Sequence, residues 1–112
     1  MFKKVISLSD FQNQIKNNEA CLFYFSHDAC NVCVALKPKI SELITTNFPE
    51  IKMFYIDTKK YPEISAQNHI FTNPVILIYF QGKEFYRKAR NLSIHELKKS
   101  IDKPYRLLAI GN

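Results

Sequence analysis

Two cysteines three positions apart, Cys30 and Cys33, stand between an apolar run and a segment with helical periodicity. The run at 20–25 has the length and the continuous apolar character of a strand that is buried on both faces. Residues at i and i+3 are neighbours on a helix surface, so the two thiols face the same side. The partial positive charge at a helix N-terminus favours a thiolate on the first cysteine. Cys30 can therefore attack a disulfide, and Cys33 can resolve the mixed disulfide that results.

Strand and helix signals alternate along the whole chain. In chain order we predict a strand at 3–8, a helix from about 10 to 16 behind a capping box at Ser9, a strand at 20–25, a helix from about 31 to 46, a strand at 51–56, a short helix at 61–67, a strand at 75–80, a hairpin turn at 81–83 with a partner strand at 84–89, and a helix from Ser93 to about 101. A strand–helix–strand start predicts a parallel pair, and the late hairpin predicts an antiparallel edge. The sequence thus predicts an α/β fold with a mixed sheet and helices on both faces.

The size and composition of the chain indicate one domain. With 112 residues, 46% of them apolar, we predict a single domain at 1–112, in which Pro104 ends the last helix and about 105–112 form a tail. The first ten residues carry two lysines but no sustained apolar segment, so we predict no signal peptide and no membrane span. Three cysteines suit a reducing compartment, where a close pair is more often catalytic or metal-binding than structural. We expect a cytoplasmic protein without a membrane partner.

The formal net charge of +6 is scattered along the chain and is not massed in one block. A scattered basic balance is typical of a solvated surface. We therefore expect no nucleic-acid partner, and we expect a monomer.

Four features occur in a fixed order along the chain. The Cys-x-x-Cys pair follows a strand and opens a helix, and Pro38 stands eight residues after Cys30. Asn73-Pro74 precedes the strongest strand signal, and a Phe-x-Gly turn at 80–82 follows that strand. In this order and spacing the features resemble the thioredoxin family over almost the whole chain. The resemblance implies a thioredoxin-like fold, with a central mixed β-sheet flanked by helices on both faces, and a cis peptide bond between Asn73 and Pro74.

The resemblance also implies an activity, a thiol–disulfide oxidoreductase that reduces protein disulfides through a Cys30/Cys33 dithiol–disulfide cycle. No prosthetic group is expected, and electrons would come from a reductase or a low-molecular-weight thiol. By resemblance, five residues line the substrate groove: Ala29, Asn31, Val32, Asn73 and Pro74. Three further side chains are candidates for tuning the Cys30 thiolate: His27, Asp28 and Arg90. The alternative is a thioredoxin-fold binding or adaptor module without efficient redox turnover.

Several positions depart from the family pattern. The pair between the cysteines is Asn31-Val32, whereas thioredoxins usually have Gly-Pro there. Tyr24 and Met53 align with a buried acid and its lysine partner, and a Tyr–Met pair cannot relay a proton from the second cysteine. We therefore expect a specialised reductase. Arg90 aligns with a glycine that commonly lines the groove, so its guanidinium is a candidate for favouring the Cys30 thiolate or selecting acidic substrates. A solvated arginine at a strand end is the alternative.

A metal site is the other possible use of the cysteines. His27, Cys30 and Cys33 provide three potential zinc ligands, and either Cys21 or His69 would have to supply a fourth. A second Cys-x-x-Cys is missing, so we expect no metal. Cys21 opens a buried strand and is expected to be an inert core thiol.

Overall fold

The computed structural model describes residues 1–108 and 110. The elements of this part of the chain are β1 (Lys3–Lys4), α1 (Leu8–Asn17), β2 (Ala20–Ser26), α2 (Asn31–Asn47), β3 (Lys52–Asp57), α3 (Pro62–Gln67), β4 (Val75–Phe80), β5 (Lys83–Ala89) and α4 (Ile94–Leu107). The order of strands and helices is the predicted one.

The strands form one mixed sheet in the order β1-β3-β2-β4-β5. β2 lies at its centre, parallel to β3 with Tyr24 opposite Tyr55, and antiparallel to β4 with Phe25 opposite Val75. β4 and β5 form the antiparallel hairpin, with Val75 opposite Ala89. The end of β2 and the start of β4 therefore lie side by side at the same edge of the sheet.

Helices cover both faces of the sheet, as predicted. On one face α2 and α4 pack against alternate residues of the strands, which include Leu22 and Tyr24 of β2. On the other face α1 and α3 pack against Cys21, Phe23 and Phe25. Every residue of β2 is buried, which explains why this strand has a continuous apolar sequence.

The first helix begins earlier than predicted. Its N-cap is Ser7 and not Ser9: the Ser7 Oγ accepts the N–H of Asp10 at 2.9 Å, and the Asp10 carboxylate accepts the N–H of Ile6 at 3.0 Å. This start adds Leu8 to the apolar side of the helix, against the sheet. It also shortens β1 to two residues, because the chain must leave the sheet before Ser7.

The last helix runs past Pro104, so the prediction that this proline ends it is wrong. A proline inside a helix removes one hydrogen bond and costs about 3 kcal/mol. Contacts of the next turn offset that cost. The Tyr105 ring packs edge-on against Phe48 at 5.0 Å between centroids, and its hydroxyl accepts the N–H of Glu50 at 3.4 Å. Of the predicted tail, 105–107 are helical, and 109, 111 and 112 lie outside the described residues.

Candidate active site

The site forms where β2 ends and α2 begins. Cys30 is the N-cap of α2, with an extended backbone, and its Sγ accepts the N–H of Cys33 at 3.2 Å. Its own N–H donates to the carbonyl of His27 at 3.1 Å, which closes the loop. A sulfur at this position accepts a backbone N–H and lies at the positive end of the helix dipole, so both effects favour a thiolate on Cys30.

Cys30 and Cys33 form a disulfide, with their Cα atoms 5.2 Å apart. The two residues differ in access to solvent. Cys33 is completely buried, whereas Cys30 is partly exposed. An incoming disulfide can therefore reach Cys30 but not Cys33. This difference is the one that an attacking thiol and a resolving thiol require.

A tyrosine holds the backbone of the buried cysteine. Tyr24, on the central strand, donates its hydroxyl to the Cys33 carbonyl at 2.7 Å. Burial, together with the neighbouring Tyr55, raises the pKa of Tyr24 well above its ordinary value. The hydroxyl is thus a hydrogen-bond donor at neutral pH and not a base. Met53, which aligns with the lysine partner in the family pattern, is buried on the same face of the sheet as Tyr24.

Tyr55, which lies opposite Tyr24 on β3, forms a hydroxyl–hydroxyl pair with Ser26. Ser26 donates its Oγ to the Tyr55 hydroxyl at 3.2 Å. Desolvation raises the pKa of Tyr55; the Ser26 hydrogen bond opposes this, and the carboxylates of Asp57 and Asp28 add to it. The polar side chain that contacts Cys33 is thus the neutral hydroxyl of Tyr24, and no carboxylate is buried in the described part of the chain.

Asn73 and Pro74 stand at the start of β4, next to the end of β2. Their peptide bond is cis. Thr58 lies between the two segments, within hydrogen-bond distance of both the Ser26 carbonyl at 3.3 Å and the Asn73 side-chain oxygen at 3.2 Å. Pro74 itself is buried, and Asn73 is partly exposed.

The other residues assigned to the groove lie around the disulfide. Ala29 and Asn31 flank Cys30 and are exposed, and the Val32 side chain is 67% exposed between the two cysteines.

Of the tuning candidates, the two that precede the motif differ in environment. Asp28 is exposed, whereas His27 is partly buried and its Nδ1 has no hydrogen-bond partner among the described residues. His27 contacts Cys30 through its backbone carbonyl, which accepts the Cys30 N–H.

Arg90 follows β5 and lies beside Pro74. Its N–H donates to the Pro74 carbonyl at 2.9 Å, and its Nε donates to the Thr72 Oγ at 2.7 Å. The side chain is therefore held against the segment that precedes the proline, and the guanidinium is exposed.

The third cysteine lies away from the pair. Cys21 is completely buried on the face covered by α1 and α3, whereas Cys33 lies in α2, in the core on the opposite face of the sheet. Burial raises the pKa of the Cys21 thiol to about 12, so it stays protonated at neutral pH. In the described part of the chain, no group of three or more His, Cys, Asp and Glu residues is arranged to hold a metal ion. The set proposed from His27, Cys30 and Cys33 with Cys21 or His69 is not brought together.

Sequence reasoning missed the threonines of this site. Thr58 joins β2 to Asn73, and Thr72 holds Arg90. Both stand in loops and form contacts with residues 15 to 32 positions away. Thr72 stands two residues before Pro74, which could have marked it as a site residue. Its contact with Arg90 could not be predicted, because that contact depends on where β5 ends.

The family model called Thioredoxin matches residues 2–103. The chain belongs to the thioredoxin family. It is 33% identical over 101 residues to Thioredoxin-like protein YdfQ of Bacillus subtilis, a match that covers 90% of this chain and 89% of that protein. The family resemblance is thereby confirmed.

Solved structures of thioredoxins have the same fold. Thioredoxin 1 of Thermosipho africanus is 35% identical, with a TM-score of 0.73 over 80% of this chain and 98% of that chain. A Plasmodium falciparum thioredoxin superposes with a TM-score of 0.80 at 23% identity, over 90% of this chain and 97% of that chain. The thioredoxin fold predicted from the sequence is confirmed. Within residues 1–108 and 110, no helix has the length and apolarity needed to span a bilayer.

Proposed function

We propose that this thioredoxin-family chain is a thiol–disulfide oxidoreductase that reduces protein disulfides through a Cys30/Cys33 cycle. One observation carries the proposal: a partly exposed Cys30 caps a helix and is paired with a fully buried Cys33. The relatives support the general chemistry, since the fold and the cysteine pair are those of thioredoxins. Reduction of proteins as the main direction is our inference.

In the first step the Cys30 thiolate attacks one sulfur of the substrate disulfide. A bond forms between Cys30 and that sulfur, and the substrate's other sulfur leaves as a thiolate, which takes up a proton from water. The Cys33 N–H, 3.2 Å from the Cys30 Sγ, supports the thiolate before attack. Asn73, Pro74 and the exposed Val32 are proposed to form the groove in which the substrate chain lies.

In the second step Cys33 loses its proton and attacks the Cys30 Sγ. The Cys30–Cys33 disulfide forms, and the substrate's second sulfur leaves as a thiol. The substrate has gained two electrons and two protons, and the chain has lost them. A reductase or a low-molecular-weight thiol is proposed to return them. We propose that this cycle operates in the cytoplasm on disulfide-containing proteins, with the chain acting as a monomer and with no bound cofactor.

Tyr24 is proposed to position Cys33 for this second step. Its hydroxyl fixes the Cys33 carbonyl, and with it the first turn of α2. Because burial keeps this hydroxyl protonated, it does not accept the Cys33 proton. The proton is therefore proposed to pass to solvent or to the departing substrate thiolate.

The cycle is tested with serine variants and a protein disulfide substrate. Cys30→Ser is expected to abolish reduction, since no nucleophile remains. Cys33→Ser is expected to accumulate a covalent complex with the substrate, detected as a mass shift that dithiothreitol removes. Cys21→Ala is the matched control and is expected to keep the wild-type rate, because Cys21 lies on the opposite face. Full activity of Cys30→Ser would contradict the proposal.

The direction of the cycle is tested by the reduction potential of the pair, poised against dithiothreitol and measured by alkylation. A value near about −270 mV, that of thioredoxin, supports a reductase. A value above about −200 mV would contradict it and indicate an oxidant. If no two-electron transition occurred, the adaptor function without turnover would replace the proposal.

A further inference from the structure

Arg90 lies at the same sheet edge as the loop that carries Cys30. Three neighbouring strands meet there in register, with Phe25 of β2 opposite Val75 of β4, and Val75 opposite Ala89 of β5. The next residue outward on each is Ser26, Pro74 and Arg90, respectively. Neighbouring strands lie about 4.8 Å apart, so this row spans roughly 10 Å. Arg90 thus lies at one end of this row. Ser26 lies at the other end and is followed by the loop that carries Cys30.

The guanidinium of Arg90 has no carboxylate partner among the described residues. The chain has three arginines. Arg87 binds Glu84 through Nε at 2.8 Å and Nη2 at 2.9 Å, and Arg106 pairs with Asp102 at 3.0 Å. Within residues 1–108 and 110, the Arg90 guanidinium donates one hydrogen bond, from Nε to the Thr72 hydroxyl. Its two Nη groups remain available for a carboxylate, which arginine binds in a planar, two-pronged manner.

The backbone at this position is unusual. Arg90 has a φ of 55° and Asn91 a φ of 30°, both in the left-handed region that residues with a side chain seldom adopt. This conformation brings the Arg90 N–H to the Pro74 carbonyl and the side chain to Thr72. Surrounding contacts must hold a residue in such a conformation, and together with the Thr72 contact it motivates the hypothesis of a functional role.

The loop that carries Thr72 also has an exposed aromatic residue. Phe71 directly precedes Thr72, and 82% of it is accessible to water. Val32, between the two cysteines, is 67% exposed. This end of the sheet thus presents a fixed cation and, in neighbouring loops, exposed apolar side chains, which suits a peptide that carries an acidic residue among apolar ones.

We propose that Arg90 is a specificity-determining residue that binds an acidic side chain of the substrate close to its reacting cysteine. This inference rests on the proposed reductase function and narrows its substrates to disulfides with acidic flanks. Thr72 positions the guanidinium through its hydroxyl.

The test uses three disulfide-linked peptide dimers that differ only in two positions flanking the cysteine, which are Glu, Gln or Lys. A fluorophore that is quenched in the dimer reports cleavage by pre-reduced protein in a single turnover, so no natural electron donor is needed. The Glu peptide is expected to react about 3 to 5 times faster than the Gln peptide, the range of an exposed ion pair. The Lys peptide is expected to be the slowest. The preference is expected to shrink in 0.5 M NaCl.

Charge-swap variants separate recognition from structure. Arg90→Gln is expected to bring the Glu/Gln rate ratio to about one, and Arg90→Glu to make the Lys peptide the fastest. A variant that merely failed to fold would react slowly with all three peptides and would not reverse the preference between the Glu and Lys peptides. Arg90→Lys keeps the charge but not the Nε contact to Thr72, and is expected to keep only part of the preference. Lys88→Gln, two residues earlier in the chain, is the control for net charge and is expected to keep the wild-type ratio.

The outcomes distinguish this inference from the function on which it rests. Equal rates for the three peptides with the wild-type protein, or an unchanged ratio in Arg90→Gln, would overturn selection by Arg90 while leaving the reductase function in place. If no peptide were reduced, the reductase function and the selection would both be overturned.

Discussion

Cys33 and Cys21 are both completely buried, yet their surroundings give them opposite chemistry. Cys33 lies in the first turn of α2, its carbonyl held by Tyr24 and its sulfur bonded to Cys30. Cys21 lies among phenylalanines on the other face of the sheet, where burial raises its thiol pKa to about 12. Burial therefore does not decide reactivity by itself. A helix start and a partner sulfur within reach make the difference.

The largest expected effect is in alkylation of the reduced protein at pH 8. With a pKa of about 12, roughly one Cys21 thiol in ten thousand is ionised at that pH. Cys30 is expected to react with iodoacetamide at least about 100 times faster than Cys21, and Cys33 at an intermediate rate, since only the thiolate reacts. Isotope-coded alkylation with mass spectrometry of the three cysteine peptides measures the rates.

Unfolding the chain in guanidinium should make the three cysteines react alike, which controls for sequence effects on the reagent. A Cys21 that reacted within tenfold of Cys30 in the folded protein would contradict the contrast between the two faces.

A second prediction concerns stability and pH. Cys21→Ala is expected to lower the free energy of unfolding by on the order of 1 kcal/mol at pH 7, because it leaves a small void in the core. The folded-state pKa of Cys21 is raised from 9.0 to about 12, so its stabilising effect is complete below pH 9 and is lost as pH rises towards 12. Between pH 7 and pH 10 the stability advantage of wild type over Cys21→Ala should fall by about 1.4 kcal/mol, which is enough to close the gap.

Urea denaturation of the oxidised proteins at both pH values measures this gap. The oxidised form is used because Cys21 is then the free thiol of the chain. A constant gap would mean that folding does not change the pKa of Cys21, and a wider gap at pH 10 would mean that folding lowers it; either result contradicts the prediction.

The third prediction concerns the tyrosine beside Cys33. Tyr24→Phe removes one buried hydrogen bond and is expected to lower the free energy of unfolding by about 1 kcal/mol. The pH dependence of disulfide resolution between pH 5 and 9 should not change, because the Tyr24 hydroxyl does not ionise in that range. Stopped-flow kinetics on the mixed disulfide measure it. An inflection that disappears in Tyr24→Phe would mean that the tyrosine takes part in proton transfer.

The smallest effect on the free energy of unfolding is expected at Arg90, where the backbone has a positive φ. Arg90→Gly relieves a positive φ, and the added chain flexibility works against that gain, so the free energy of unfolding should stay equal or rise by less than about 1 kcal/mol. Arg90→Ala, which keeps the strain, should be the less stable of the two. Urea denaturation compares them. A loss of more than 1 kcal/mol in Arg90→Gly would mean that the contact to Thr72 mainly stabilises the fold.

The central part of the fold could be predicted because its signals are local. β2 and β4 are continuous apolar runs, and α2 begins at the cysteine pair, so their positions follow from the sequence. The two errors arose where contacts distant in sequence decide. Tyr105 docks on Phe48 and carries α4 past Pro104, and Leu8 packs against the sheet and moves the start of α1 to Ser7.

The candidate site divides in the same way. The order of Cys30 and Cys33, and their unequal access to solvent, follow from their place in the helix. The contact between Arg90 and Thr72 joins two loop residues 18 positions apart. It occurs at a turn with two consecutive positive φ angles, which the residue types Arg90 and Asn91 do not predict. Such a contact can be identified only in the folded structure, where the start of β4 lies beside the end of β5.

The Cys30 sulfur serves α2 as well as the substrate, since it accepts the amide hydrogen of Cys33. Each time the sulfur passes from thiolate to mixed disulfide to internal disulfide, the first turn of the helix receives a weaker or stronger acceptor. The amide proton of Cys33 is accordingly a built-in spectroscopic probe, and its NMR chemical shift should follow the redox state of the chain without any label on the sulfur.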